Sequence, residues 1–211
     1  MGNATKASVP QTATAVGQAE ARLPTAYGTF RIRTYPTGGD APPPLALVRG
    51  DGHGSWLPLV RVHSQCLTGD AFASLRCDCG PQLEAALRLI GRARDGALVY
   101  LRQEGRGIGL DAKVRAYALQ DRGLDTYDAN VALGLPADAR TYEAAARILE
   151  DLGMTSIRLL TNNPEKVRAL EALGIRVVQT LPLVAGIRPQ NRRYLATKRD
   201  RFGHRLPAWI G

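Results

Sequence analysis

Apolar and polar positions alternate in two different rhythms along this chain. Between Leu23 and His63 the apolar residues come in short runs, Thr29–Arg33, Leu45–Val48 and Leu59–His63, divided by clusters of Gly, Pro and Asp. Runs of that length bounded by turn residues predict β-strands, and Ala41-Pro42-Pro43-Pro44 predicts a loop. Past position 80 the period lengthens. Leu83, Ala86, Leu87 and Ile90 fall on one face of a helix opening near Pro81, a residue tolerated in a first turn. Ala97–Leu101 predicts a buried strand, and a second helix is expected from Leu110 to Arg122.

The last third keeps alternating. Ala145, Ile148, Leu149 and Leu152 are spaced for a helix beginning near Thr141 and stopped by Gly153. Ile157–Leu160 predicts a strand. Asn163-Pro164 then caps and opens a helix that Gly174 ends, ahead of a strand at Ile175–Val178. Strands followed by helices in this manner predict βαβ units. The fold class expected is therefore a single α/β domain: a mixed, partly parallel sheet flanked by helices, with a β-rich N-terminal third.

Residues 1–22 show neither rhythm and are rich in Ala, Thr, Gln and Gly, so a disordered tail is expected there. The folded domain is expected over 23–206, with a short C-terminal tail at 207–211. The basic stretch Arg188–Arg205 reads as a solvated face. No apolar run approaches the roughly 18 residues of a membrane span, and the first 25 residues lack a signal peptide's apolar block. A cytoplasmic protein without a membrane partner is the expectation.

Charge narrows the function classes. With 28 basic and 19 acidic residues the net charge is +9, and 24 of the basic residues are Arg against 4 Lys. An Arg surplus suits a phosphate-bearing ligand, although a GC-rich genome writes the same bias. Nucleic-acid binding is disfavoured, because the cations are interleaved with acids and aromatics make up only 6% of the chain.

Cys66, Cys77 and Cys79 are the chain's three cysteines, and they fall within one short segment. An odd, clustered set argues for metal or thiol chemistry over a disulfide framework. Three thiolates leave the fourth position of a tetrahedral zinc ion open, the arrangement of a catalytic site that lowers the pKa of a bound water. A closed Cys3His site using His63, or three unligated core thiols, are the plainer alternatives. A cytidine-deaminase reading fails because the H-x-E and P-C-x-x-C signatures are missing.

Glu104-Gly105-Arg106-Gly107-Ile108-Gly109 follows an expected strand and precedes an expected helix. It is neither a Walker loop nor a dinucleotide fingerprint. Its glycines nonetheless free backbone N–H groups to approach an anion, and Arg106 adds a fork for phosphate. Asp138, with Arg140 close by, reads locally as a helix cap, and Tyr117 as a core residue. Thr161 opens a second strand-to-helix turn with anion-binding potential. Lys166 in the helix turn that follows is an unfavourably placed cation, which an anionic ligand would compensate.

Together these segments resemble the GTP cyclohydrolase II family of riboflavin biosynthesis. The matching text is Arg61-Val-His-Ser-Gln-Cys-Leu-Thr-Gly-Asp70, Ser74-Leu-Arg-Cys-Asp-Cys-Gly80 and Gln82-Leu-Glu84. It continues with Arg102-Gln-Glu-Gly-Arg106, Arg115-Ala-Tyr-Ala-Leu-Gln-Asp121, Pro136-Ala-Asp-Ala-Arg140 and Leu159-Leu-Thr-Asn-Asn-Pro164. The resemblance runs from about Leu23 to Leu206. It implies hydrolysis of GTP to 2,5-diamino-6-ribosylamino-4(3H)-pyrimidinone 5′-phosphate, formate and pyrophosphate, with Zn2+, Mg2+ and a homodimer.

Carried over by position, Cys66, Cys77 and Cys79 correspond to the zinc ligands. Arg61, Val62, His63, Ser64, Gln65, Gln82, Glu104, Gly105, Arg106, Thr126, Thr161 and Lys166 correspond to the GTP-binding set. Tyr117 corresponds to a tyrosine near the reacting ring, Asp138 to the proton acceptor and Arg140 to the nucleophile. A carboxylate at Glu104 would suit the guanine N1–H and 2-amino edge. A guanidinium keeps its proton above about pH 12, so a clamp on the leaving pyrophosphate is an equally physical role for Arg140. Two departures from the family pattern stand out: Gln65 replaces the usual glutamate before the first cysteine, and Gln179-Thr180 replaces Glu-Arg. A short tail ahead of the matching region leads to the expectation of a stand-alone enzyme without a fused synthase domain.

Overall fold

The computed structural model describes residues 17–37, 42–50 and 57–210. Its strands are β1 (Ala19–Thr25), β2 (Gly28–Thr34), β3 (Leu45–Arg49), β4 (Leu59–Ser64), β5 (Gly96–Leu101), β6 (Ser156–Leu160) and β7 (Arg176–Leu181). The helices are α1 (Leu67–Asp70), α2 (Cys79–Arg92), α3 (Leu110–Asp121), α4 (Thr126–Ala132), α5 (Glu143–Asp151), α6 (Pro164–Ala172) and α7 (Arg192–Phe202). All strands join one sheet in the order β1-β2-β3-β5-β4-β6-β7. The β1-to-β5 side is antiparallel, and β5, β4, β6 and β7 run parallel. The mixed α/β class read from the alternation is the class observed.

Two-residue alternation sorts the strand side chains between two layers. Ala97, Val99 and Leu101 of β5, with Val60 and Val62 of β4, pack with Ala145, Ile148 and Leu149 of α5 and Leu170 of α6. Leu59 and Leu98 belong to the second cluster, with Phe30 and with Ala86 and Ile90 of α2. Arg61 and His63 share the parity of Leu59 and are buried. Position on the pleat thus sets two polar side chains at the carboxyl end of β4, where open α/β sheets bind ligands.

Several boundaries differ from expectation. Residues 1–16 lie outside the described residues, but Ala19–Arg22, assigned above to the tail, belongs to β1 and pairs with Arg31–Thr34. This edge strand is exposed on both faces. It is held by backbone pairing and by Glu20 ion pairs to Arg31 and Arg33 rather than by core burial, so it lacks an apolar period. Ala41 of the proline loop also lies outside the described residues. At the other end, Ile210 is fully buried, so the expected tail from 207 packs against the fold. The basic stretch is a solvated face only in part: Arg188, Arg192, Arg193, Arg201 and Arg205 are exposed, but the stretch also buries one side. It forms α7, with Asn191, Leu195, Thr197 and Lys198 buried. Among the described residues no helix is long and apolar enough to cross a membrane.

Candidate metal centre and anion-binding cleft

The chain leaves β4 through Ser64 and Gln65 and reaches Cys66, whose N–H donates to Asp70 Oδ2 at 3.0 Å. Cys79 is the first residue of α2, and Cys77 lies just ahead of it, so both sit at the positive end of a helix. Two glycines let α1 and α2 meet. A Cβ at Gly80 would stand 2.2 Å from the Gly69 carbonyl oxygen, and one at Gly69 would stand 2.8 Å from Cys77 Sγ.

The three Sγ atoms lie within 4.8 Å of one another, with Cys66 and Cys77 at 3.7 Å. Two thiolates on one tetrahedral zinc ion would be separated by about 3.8 Å, given a Zn–S bond of about 2.3 Å. Hydrogen bonds from Cys77 and Cys79, together with Lys113, push the Cys66 thiol down despite its burial. The Cys66 hydrogen bond and burial hold Cys77 up at about 11, and Cys79 is raised well above its ordinary value for the same reasons. Only a cation can make all three sulfurs anionic together, so the donor set fits a thiophilic dication. His63 is not in the sulfur group. Its Nε2 faces Asp70 Oδ1 at 3.1 Å, while its ring stacks on Tyr100 at 5.5 Å. The closed Cys3His alternative is therefore absent from the described residues.

The cysteines form one wall of a cleft that opens to solvent. Arg61, His63, Ser64, Gln65, Gln82, Glu104, Gly105, Arg106, Tyr117, Thr126, Arg140, Thr161 and Lys166 all line it. Val62 and Asp138 do not. The Val62 side chain is in the core and only its carbonyl is engaged, accepting from Lys166 Nζ at 2.6 Å. Asp138 grips Arg140, accepting from Nε at 2.9 Å and from Nη2 at 2.5 Å.

Arg61 is fixed by two contacts: Nη1 donates to the Leu160 carbonyl at 2.9 Å and Nη2 to Gln82 Oε1 at 2.6 Å. Gln82 in turn donates to Asp78 Oδ2 at 2.5 Å, and Asp78 Oδ1 receives Lys198 Nζ at 2.7 Å. Asp78 precedes α2 without capping it, because both oxygens are taken by tertiary partners. Buried and unpartnered atoms remain along this wall: Arg61 Nε, Ser64 Oγ, His63 Nδ1 and Arg106 Nη2. Buried donors without acceptors are costly, and here they border a cleft where a polar ligand would satisfy them.

The glycine loop forms a tight 3-10 turn, Glu104–Gly107, in which Gly105 and Arg106 both have left-handed backbone angles, φ 62° and 61°. Glycine adopts that conformation freely, whereas for Arg106 it is uncommon. It carries the guanidinium over the rings of Phe202 and of Tyr194, the latter on the cleft wall.

Glu104, expected above to suit the guanine edge, is already engaged within the protein. Its Oε2 accepts the Leu67 N–H at 2.6 Å, and its Oε1 accepts the Gly105 N–H at 2.9 Å and Lys113 Nζ at 2.7 Å. A carboxylate offers about four lone-pair positions, so most of its capacity holds the protein together.

Burial, with Arg61 and Arg140 nearby, pushes the Lys166 ammonium well below its ordinary value. Burial would raise Asp138, but the hydrogen bonds and charge of Arg140 win and hold it low. Asp138 in return keeps Arg140 protonated against the cost of burial. Tyr117 reaches Thr68 Oγ1 at 3.2 Å, and burial raises its phenol. Asn163 caps α6 as expected, accepting from the Glu165 N–H at 3.0 Å.

Sequence reasoning did not find Lys113, Asn130, Tyr194, Lys198 and His204, all of which line the cleft. The Lys count held a usable signal. In a chain that writes Arg 24 times, the described lysines 113, 166 and 198 are all buried in this one cleft.

Comparison with known proteins agrees with the geometry. The family model for GTP cyclohydrolase II matches residues 16–182. GTP cyclohydrolase-2 of Acinetobacter baumannii (strain SDF) is 53% identical over 187 residues, 88% of this chain and 94% of that protein. GTP cyclohydrolase-2 of Neisseria meningitidis serogroup A is 53% identical over 186 residues, again 88% and 94%. The riboflavin biosynthesis protein RibBA of Nocardia farcinica is 55% identical over 190 residues, which is 89% of this chain but 46% of that longer protein. The chain belongs to the GTP cyclohydrolase II family.

Proposed function

We propose that this chain hydrolyses GTP to the 2,5-diaminopyrimidinone ribosyl 5′-phosphate, formate and pyrophosphate, as the first step of riboflavin biosynthesis. The observation that carries the reading is the shared cleft. A three-sulfur metal centre and a set of buried, unpaired cationic donors face the same cavity. Zn2+ would be held by Cys66, Cys77 and Cys79, where it supplies an acidified water for attack on the imidazole carbon. Mg2+ would travel with the triphosphate, and the working unit is read as a cytoplasmic homodimer.

The remaining residues bind and orient. Arg106 and Lys166 neutralise triphosphate oxygens, and the nitrogens that Arg61 and Arg140 do not give to protein partners add single donors for phosphate. Arg140 gives two nitrogens to Asp138, which keeps it charged and aimed. That arrangement supports a clamp on the leaving pyrophosphate better than a deprotonated guanidinium. Tyr117, tethered to Thr68 beside Cys66, would lie against the opening ring. The test is formate release by zinc-loaded protein given GTP or ATP. Formate from GTP alone is expected, and no formate from GTP would overturn the assignment.

A further inference from the structure

Lys113 is buried on α3 and donates from one Nζ to two acceptors: Cys66 Sγ at 3.1 Å and Glu104 Oε1 at 2.7 Å. Cys66 is a ligand of the proposed metal. Glu104 begins the turn that sets Arg106 in its left-handed conformation, and its other oxygen holds the Leu67 N–H beside Cys66. One turn further along α3, Tyr117 meets Thr68 Oγ1 at 3.2 Å. A single ammonium thus joins the metal loop, the arginine turn and the helix carrying the tyrosine.

We propose that Lys113 is a positioning residue for the metal centre, which hydrogen-bonds the Cys66 thiolate while it ligates the ion and locks the Glu104–Gly107 turn to it. The inference rests on metal binding by the three cysteines. The physical need is charge. Three thiolates, one dication and the Glu104 carboxylate sum to −2 in a buried site, and Lys113 halves that charge at hydrogen-bond distance from both anions. A lysine suits this better than an arginine, because a compact ammonium serves two acceptors that converge on one point. Partners of metal ligands commonly contribute about 10- to 100-fold in affinity.

The experiment substitutes cobalt(II) for zinc in the full chain and reads the sulfur-to-cobalt charge-transfer band, alongside zinc affinity by chelator competition. In Lys113→Met the band moves to longer wavelength, because an unbonded thiolate is the better electron donor. Zinc affinity falls by about 10- to 100-fold. A lower melting temperature with band and affinity unchanged would overturn the proposal, since that is what a purely structural lysine does. A wild-type protein with no thiolate band overturns the metal reading itself, and the inference with it. Should the variant fail to fold, wild-type protein carrying 15N-lysine decides. One exchange-protected ammonium resonance shifts when 113Cd replaces zinc, and its invariance would contradict the hydrogen bond.

Discussion

Lys198 and Asp78 form a buried ion pair, 2.7 Å from Nζ to Oδ1, that fastens the last helix to the residue between two cysteines. Asp78 is 2% exposed. Removing one partner of such a pair leaves an uncompensated charge and costs about 3–5 kcal/mol. Lys198→Met is therefore expected to unfold at markedly lower denaturant, and Asp78→Asn in the same chain should recover part of the loss. Equal midpoints for wild type and Lys198→Met would show that α7 does not anchor the cysteine turn.

Gly69 and Gly80 separate metal binding from folding. An Ala at Gly69 places its Cβ among the sulfurs, 2.8 Å from Cys77 and 3.2 Å from Cys66, while at Gly80 it meets a backbone oxygen that cannot swing aside. Gly69→Ala should lose zinc at chelator concentrations that wild type withstands. Gly80→Ala should instead lose about 1–3 kcal/mol of stability, the usual cost of overpacking. Zinc titration and chemical denaturation on both variants check the contrast.

Lys166 gives the cleft a pH signature. Its pKa in the free protein lies well below the ordinary lysine value, because it is buried beside Arg61 and Arg140. The unfolded chain then binds more protons between the two values, so the stability of the free protein rises with pH across that window. A triphosphate raises the folded pKa again. Binding should take up protons and weaken as pH increases through the window. Calorimetric titration in buffers of different ionisation enthalpy should show this uptake, reduced in Lys166→Met.

Arg140 tests clamp against nucleophile. Its bidentate grip on Asp138 keeps the guanidinium protonated. Arg140→Lys should slow turnover yet still release pyrophosphate, since an ammonium also stabilises the leaving group. Complete loss of pyrophosphate release, with a trapped nucleotidyl adduct on wild type, would establish covalent attack.

Alternation made the sheet and its flanking helices legible, and the three cysteines with the glycine loop marked the cleft. Elements held by polar contacts rather than an apolar stripe were not legible. β1 is an exposed edge, and α7 docks through Lys198 and Asn191, so its charge pattern resembled a solvated face. Glu104 shows the same limit for single residues. A carboxylate after a strand looks free in sequence, and only the fold brings Leu67 and Lys113 to it. The rarity of Lys beside Arg would have pointed to Lys113 and Lys198 in advance.

The most direct measurement of the central claim follows formate and pyrophosphate in parallel, from GTP with zinc-loaded protein and Mg2+. The two products are expected in equal amounts, and both should vanish in Cys77→Ser. Pyrophosphate without formate would contradict the ring-opening claim and turn attention to Gln65 on the cleft wall. Neither product from the metal-loaded protein would contradict the account as a whole.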